Sequence, residues 1–164
     1  MQLTLIDSTV LLRLILGEPG AEFAVNLLAR AEQGLENILV TLDAVREALE
    51  AGTYAAASSM LGSGDPTVLA EKIGDDTIRA QAYRAVKPLL DYLARLHAAG
   101  HLQVYTASLQ DVEKAYQIAL EKQIPLRDAL TLHVAEKMGV QRIASFSPAV
   151  RRHAPRNTAV IPSL

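Results

Sequence analysis

Asp7 directly follows a short apolar run at residues 3–6. Such runs with β-branched residues are typical of buried strands, and ligands of α/β proteins collect beyond the carboxyl ends of those strands. A carboxylate at this position could therefore bind a cation. The competing interpretation is structural, because Asp7, Ser8 and Thr9 are all residue types that cap helices. Taken alone, Asp7 fits the capping role better.

Asp128 falls one turn into a predicted helix that begins near Pro125 and ends before Gly139. Apolar residues surround much of that helix, and a helix that is apolar nearly all round is usually buried. A buried carboxylate is costly unless it is paired, hydrogen-bonded or bound to a metal. An acid near a helix N-terminus is also favoured by the helix dipole. Both interpretations stay open from the residues alone.

Other charged residues carry weaker signals. Glu47 lies on a predicted helix, but periodicity places it away from the apolar face and favours a solvated residue. The four histidines show no metal-ligand spacing. A basic group near the C-terminus could contact phosphate or form a solvated tail. Its members are Arg142, Arg151, Arg152, His153 and Arg156.

The elements that would position these side chains alternate between strands and helices. Short apolar runs predict strands at residues 3–6, 37–40, 102–105, 142–146 and 159–161. Helical patterns separate these runs, and glycines mark several helix ends. Such alternation indicates a mostly parallel sheet covered on both faces by helices. We therefore predict an α/β fold, a three-layer α/β/α sandwich with four to five short strands.

The segment between the second and third strands is longer and less regular. A helix is predicted over residues 42–51, with Gly52 as its end. Short helices and loops follow, and then a long helical pattern that Pro88 should bend or divide. We take residues 1–164 as one domain with a helical insertion over about residues 53–99. The insertion could be a lid or a partner surface, and a tolerated surface insertion is the simplest interpretation.

Composition narrows the class of protein. The chain of 164 residues is 50% hydrophobic and 4% aromatic, which suits one aliphatic core. The absence of cysteine excludes disulfides, thiolate metal sites and cysteine nucleophiles. The net charge of −2 argues against a general polyanion binder. No apolar run approaches the roughly 20 residues that cross a bilayer, and no basic region marks a signal peptide. We expect a cytoplasmic protein with no membrane partner.

Four segments together resemble the motifs of PIN domains. Residues 6–12 (IDSTVLL) resemble the opening motif, in which a strand ends in Asp. Residues 41–49 (TLDAVREAL) resemble the second motif, with a Ser or Thr cap and a Glu two turns later. Residues 124–130 (IPLRDAL) resemble the third motif, and residues 142–147 (RIASFS) the closing strand. Each motif is weak alone, but their order and spacing match over nearly the whole chain.

This resemblance implies a metal site formed by Asp7, Glu47 and Asp128. Three carboxylates converge only around a cation, since like charges at short range otherwise force protonation. Mg²⁺ and Mn²⁺ prefer oxygen ligands, so one of them would be the cofactor. Such an ion polarises a phosphodiester and lowers the pKa of an attacking water.

One position departs from the family pattern. Many members carry a fourth acid or an Asn after the last strand, where this chain has Ser147 and no later acid. Ser147 could still hydrogen-bond a water on the metal, but it adds no charge. Thr9 could orient Asp7. The candidate contacts to RNA phosphates are Arg127, Arg151 and Arg152.

The function implied by the resemblance is metal-dependent cleavage of RNA. The chain would be an endoribonuclease that hydrolyses phosphodiester bonds, similar to the toxin of a toxin–antitoxin pair. A small antitoxin would block its acidic edge, and the assembly would be a homodimer. The alternative is a degenerate PIN-like domain, weak or inactive as an enzyme, that binds protein or RNA. The missing fourth acid keeps that alternative open.

Overall fold

A five-stranded sheet forms the centre of the fold. The computed structural model describes residues 2–163, apart from the side chains of residues 70 and 73. The strands are β1 (Leu3–Ile6), β2 (Asn37–Thr41), β3 (Leu102–Tyr105), β4 (Arg142–Ala144) and β5 (Ala159–Ile161). Their order across the sheet is β3-β2-β1-β4-β5, and every neighbouring pair is parallel.

Eight helices accompany these strands within the described residues. They are α1 (Ser8–Leu16), α2 (Ala21–Glu32), α3 (Leu42–Leu61), α4 (Pro66–Ile73), α5 (Asp76–Ala98), α6 (Leu109–Lys122), α7 (Leu126–Lys137) and α8 (Pro148–His153). None of the helices in residues 2–163 is long and apolar enough to cross a bilayer. The sequence did not predict α8, which places residues 151–153 in a helix rather than in a solvated tail.

Alternating strand residues fill a core on each face of the sheet. Ile6 and Val40 are fully buried on one face, against α1, α2, α3 and α5. Leu5, Leu39 and Ile143 are buried on the other face, against α7 and α8. Burying one such side chain contributes about 1.5–3 kcal/mol, so both layers hold the sheet firmly. The predicted α/β/α sandwich on a parallel sheet is confirmed.

The strand order reverses at β1, which pairs with β2 on one side and with β4 on the other. A reversal of this kind opens a crevice beyond the carboxyl ends of the strands. The register pairs Ile6 with Ala144, so the next residues, Asp7 and Ser145, come side by side at that edge. The backbone N–H of Asp7 donates to the carbonyl of Ala144 at 3.1 Å. The ligand edge therefore carries an acid and a hydroxyl from neighbouring strands.

The helix α3 is longer than predicted, because Gly52 does not end it. The helix continues to Leu61 and ends at Gly62, which has a φ of 61°. Gly52 instead lies where α3 packs closely against α1 and α5. A Cβ at this position would be 2.8 Å from Ile15 Cγ2 and 3.0 Å from Val86 Cγ1. The prediction of a helix end here is wrong, since the glycine serves helix packing.

We expect Gly52→Ala to destabilise the protein. Alanine gains about 1 kcal/mol of helix propensity over glycine, whereas overpacking a filled core costs about 1–3 kcal/mol, so the net loss should be about 1 kcal/mol. Urea unfolding measures it. Gly64→Ala in the loop before α4 is a control for steric overlap, because its Cβ would have its nearest neighbour at 3.9 Å. A Gly52→Ala protein as stable as the wild type would mean that the helices can move apart without cost.

The segment over residues 53–99 is helical almost throughout. Pro88 lies inside α5 and does not divide it. Leu89 and Leu93 are buried in the main core beside Ile6, and their burial offsets the hydrogen bond that proline cannot donate. A smaller cluster joins α3, α4 and α5. Its buried residues are Ala57, Leu69 and Ala82.

Candidate active site

Asp7 caps α1 and is buried at the ligand edge. It is only 3% exposed. Oδ1 accepts the backbone N–H groups of Thr9 at 3.0 Å and Val10 at 3.3 Å, and Oδ2 accepts the hydroxyl of Ser145. Burial raises the pKa of Asp7 from 3.8 to about 6, although the hydrogen bonds oppose that rise. Asp7 is therefore a helix cap whose negative charge is costly in its surroundings.

Asp128 is the second buried carboxylate at this edge. It lies in the first turn of α7 and is 4% exposed. Ser147 donates its hydroxyl to Oδ2 at 3.0 Å, and Arg127 Nε lies 3.7 Å from Oδ1. Burial raises the pKa of Asp128, while the hydrogen bond from Ser147 and the charge of Arg127 oppose that rise. Buried acids with shifted pKa values beside a cleft are typical of functional sites.

Two serines after β4 connect the two buried acids. Ser145 donates to Asp7 and accepts the backbone N–H of Ser147 at 3.0 Å. Ser147 donates to Asp128 and also caps α8. The sequence prediction included Ser147 as a supporting residue but missed Ser145. The register between β1 and β4 is the signal that reveals Ser145, and it is known only once the strand order is known.

Thr9 ties Asp7 to the chain segment beyond β4. Its hydroxyl donates to Asp7 Oδ1 at 2.5 Å and accepts the backbone N–H of Phe146 at 2.9 Å. Together, Thr9 and Ser145 engage both oxygens of the carboxylate. The side chain of Asp7 is therefore held in one orientation.

Glu47 reaches the same site from α3 and is less buried. Its side chain is 33% exposed, and Arg127 Nη1 donates to Oε1 at 3.0 Å. That hydrogen bond raises the pKa of Arg127 against the effect of burial, and the charges of Glu47, Asp128 and Asp7 add to the rise. Arg127 therefore pairs with Glu47 and lies close to Asp128.

A cleft of about 620 Å³ opens over this site. Glu47, Asp128 and Ser147 line it, and Asp7 is buried next to its lining residue Thr9. The cleft also has a basic lining. Its members are Arg13, Lys122, Arg127, Arg152 and His153. A cleft lined by both acidic and basic side chains suits a polyanion that is bound together with a cation.

The three arginines predicted to contact phosphate are placed differently. Arg127 and Arg152 line the cleft. Arg151 instead donates to the carbonyl oxygens of Ser145 and Pro162, at 3.2 and 3.0 Å. Arg151 therefore holds the backbone around the site.

The family of the chain follows from a comparison with protein-family models. The model of the PIN domain matches residues 4–154, which is most of the chain. The chain belongs to the PIN-domain family. The match includes Asp7, Glu47 and Asp128, so all three carboxylates lie within the shared PIN domain. Membership of this family supports a nuclease activity.

Solved structures share this PIN-domain fold at low sequence identity. PAE2754 from Pyrobaculum aerophilum is 16% identical with a TM-score of 0.57, over 96% of this chain and 88% of that one. The Mycobacterium tuberculosis toxin VapC20, which cleaves the sarcin–ricin loop, is 12% identical with a TM-score of 0.58, over 93% and 96%. VapBC2 from Rickettsia felis, bound to a promoter DNA fragment, is 12% identical with a TM-score of 0.52, over 96% of both chains. No curated protein matches the sequence.

The donor atoms of this PIN-domain site fit a hard divalent cation. Asp7, Glu47 and Asp128 offer carboxylate oxygens, which Mg²⁺ and Mn²⁺ prefer. A cation, the guanidinium of Arg127, already lies beside two of them. Within the part of the chain that the structure describes, no three acidic or histidine side chains converge as a metal-holding set. The acidic side chains thus lie at the same edge of the sheet, but not close enough together to form a metal-holding set.

Proposed function

We propose that this PIN domain is a metal-dependent endoribonuclease. The observation that carries the proposal is the pair of buried acids, Asp7 and Asp128, beside a cleft that Glu47 also lines. Burial of such acids destabilises a fold unless they are paired, hydrogen-bonded or bound to a metal. Their oxygen atoms match Mg²⁺ or Mn²⁺. RNA is the substrate class supported by the likeness to VapC20, a toxin that cleaves the sarcin–ricin loop.

In this proposal the side chains have separate tasks. Asp7, Glu47 and Asp128 hold the ion, which when bound polarises the phosphodiester and lowers the pKa of an attacking water. Thr9 and Ser145 keep Asp7 in one orientation. Cationic side chains on the cleft bind phosphates of the RNA backbone. The proposed phosphate ligands are Lys122 and Arg152.

A small antitoxin protein is the proposed partner, and a homodimer the proposed assembly. The likeness to the toxin VapC20 and to VapBC2 supports a role in a toxin–antitoxin pair. Coexpression with the protein of a neighbouring short reading frame tests this role. Loss of nuclease activity in the complex would support it, and an unaffected activity would contradict it.

The second candidate function is a PIN domain that binds RNA or protein without cleaving it. Two observations favour it. Ser147 stands where many family members have a fourth acid, and its hydroxyl is already committed to Asp128. The described acids also do not converge as a metal-holding set.

RNA cleavage by the purified protein distinguishes the two candidates. The substrate is single-stranded RNA with Mg²⁺ or Mn²⁺, and the parallel reaction contains EDTA. Cleavage that requires the ion supports the nuclease. Thermal stabilisation by the ion with no cleavage of any RNA supports the binding module.

Ser147→Ala should weaken metal binding and cleavage by about tenfold, as expected for residues that orient metal ligands. The reason is that alanine cannot hold Asp128 in place. Ser147→Asp keeps a capping side chain on α8 and adds a fourth acid, so it should bind Mn²⁺ at least as tightly as the wild type. Calorimetry and cleavage rates measure both effects. Equal Mn²⁺ affinities and cleavage rates for all three proteins would show that Ser147 does not contribute to the site.

A further inference from the structure

The guanidinium of Arg127 bridges two carboxylates of the candidate site. Nη1 donates to Glu47 Oε1 at 3.0 Å, and Nε lies 3.7 Å from Asp128 Oδ1. The cation that balances the acids in this conformation is therefore a side chain of the protein itself.

The bridge joins two helices and is accessible to water. Arg127 and Asp128 are neighbours on α7, whereas Glu47 lies on α3. The side chain of Arg127 is 54% exposed and that of Glu47 is 33% exposed. Partly exposed ion pairs of this kind stabilise a fold only weakly. A cation of higher charge can therefore displace the guanidinium.

A divalent ion and the guanidinium compete for the same oxygen atoms. Two cations among these acids would repel each other at short range. Arg127 also lines the cleft, so its flexible side chain can leave the acids and remain over the site. A guanidinium in that position is well suited to bind a phosphate group.

We propose that Arg127 is a built-in competitor of the metal ion. In the metal-free protein it holds Glu47 and Asp128 as an ion pair, and metal binding displaces it. The displaced guanidinium is then available to a phosphate of the RNA. This inference rests on the proposed function, because it takes the metal site as given. Its consequence is a lower apparent metal affinity, reduced by the fraction of molecules in which the bridge is formed.

Calorimetric titration with Mn²⁺ tests the competition without any RNA. Arg127→Gln should bind Mn²⁺ about fivefold more tightly than the wild type, which corresponds to the loss of one partly exposed ion pair. Arg127→Met keeps an unbranched apolar stem without the charge and should show the same gain, so it serves if the glutamine variant does not fold. Arg127→Lys retains the charge and should bind Mn²⁺ like the wild type.

The matched control is Lys122→Gln, which removes a positive charge from the same cleft but not from the Glu47 pair. It should change the affinity by about twofold or less. Equal or weaker binding by the uncharged Arg127 variants would overturn the proposal, as would an equal gain in Lys122→Gln. A lack of Mn²⁺ binding in every folded variant would overturn the metal-dependent function as well. RNA cleavage by the wild type, with unchanged affinity in Arg127→Gln, would overturn the competitor role alone.

Discussion

Asp128→Asn should lower metal-dependent RNA cleavage by about 100-fold or more, since the ion contributes several kcal/mol and each tenfold in rate is about 1.4 kcal/mol. The substitution removes one of the charged ligands proposed to hold the ion. Asparagine has nearly the same size and still accepts the hydroxyl of Ser147, which now donates to Asp128 at 3.0 Å. The fold should therefore survive while the reaction is lost.

Initial rates of cleavage of a labelled RNA at saturating Mn²⁺ measure this effect. Asp91→Asn makes the same chemical change on α5, where Asp91 is exposed and pairs with Lys87, and it should cleave at the wild-type rate. Circular dichroism of both variants shows whether the fold is retained. If Asp128→Asn cleaved RNA at the wild-type rate, Asp128 would not be one of the catalytic residues.

The sequence predicted the sheet well because each strand is a short apolar run between residues that cap or end helices. The strand at residues 102–105 is found where it was predicted. Gly52 misled the prediction of α3, because a glycine that ends a helix and one that allows close packing look alike in sequence. The close approach of Ile15 and Val86 to Gly52 distinguishes the two roles.

The candidate site was predictable to different degrees. Asp7 follows a strand and Asp128 lies among many apolar residues, but for both acids the position alone also fits a role at a helix N-terminus. Glu47 entered only through family resemblance, since its partner Arg127 is 80 residues away in sequence. Ser145 carries no local signal, because its role depends on the pairing of β1 with β4.

Asp7→Asn should stabilise the metal-free protein. Burial raises the pKa of Asp7 from 3.8 to about 6. At a pH of about 7.5 the folded state therefore carries a charge that costs up to about 3 kcal/mol relative to the unfolded chain. Asparagine can still accept the N–H groups of Thr9 and Val10 and can donate to Ser145. Urea unfolding in EDTA should show most of this gain.

The gain should disappear in acid. Between pH values of about 4 and about 6, the folded protein keeps a proton on Asp7 that the unfolded chain has released. Wild-type stability due to this group therefore falls as the pH rises through that range, and it is fully retained below it. The contribution of Asp111 to stability changes with pH in the opposite direction, because its hydrogen bond with Lys137 lowers its pKa. Its contribution is common to both proteins and cancels in the difference.

The control for this prediction is Asp75→Asn. Asp75 caps α5 as Asp7 caps α1, accepting the N–H groups of Thr77 at 2.8 Å and Ile78 at 3.4 Å, but these contacts are exposed. The change of a capping Asp to Asn should therefore give no comparable gain at this position. A gain as large as that of Asp7→Asn would assign the effect to capping rather than to buried charge.

Mg²⁺ should make the wild type more stable than Asp7→Asn, which is the reverse of the order in EDTA. A ligand that binds only the folded state stabilises it by mass action, so the wild type should gain stability and Asp7→Asn should gain less. The same variant should lose RNA cleavage. This is the trade expected when a site keeps a charged group at the expense of stability. Equal stability of the two proteins in EDTA at every pH would contradict the raised pKa of Asp7.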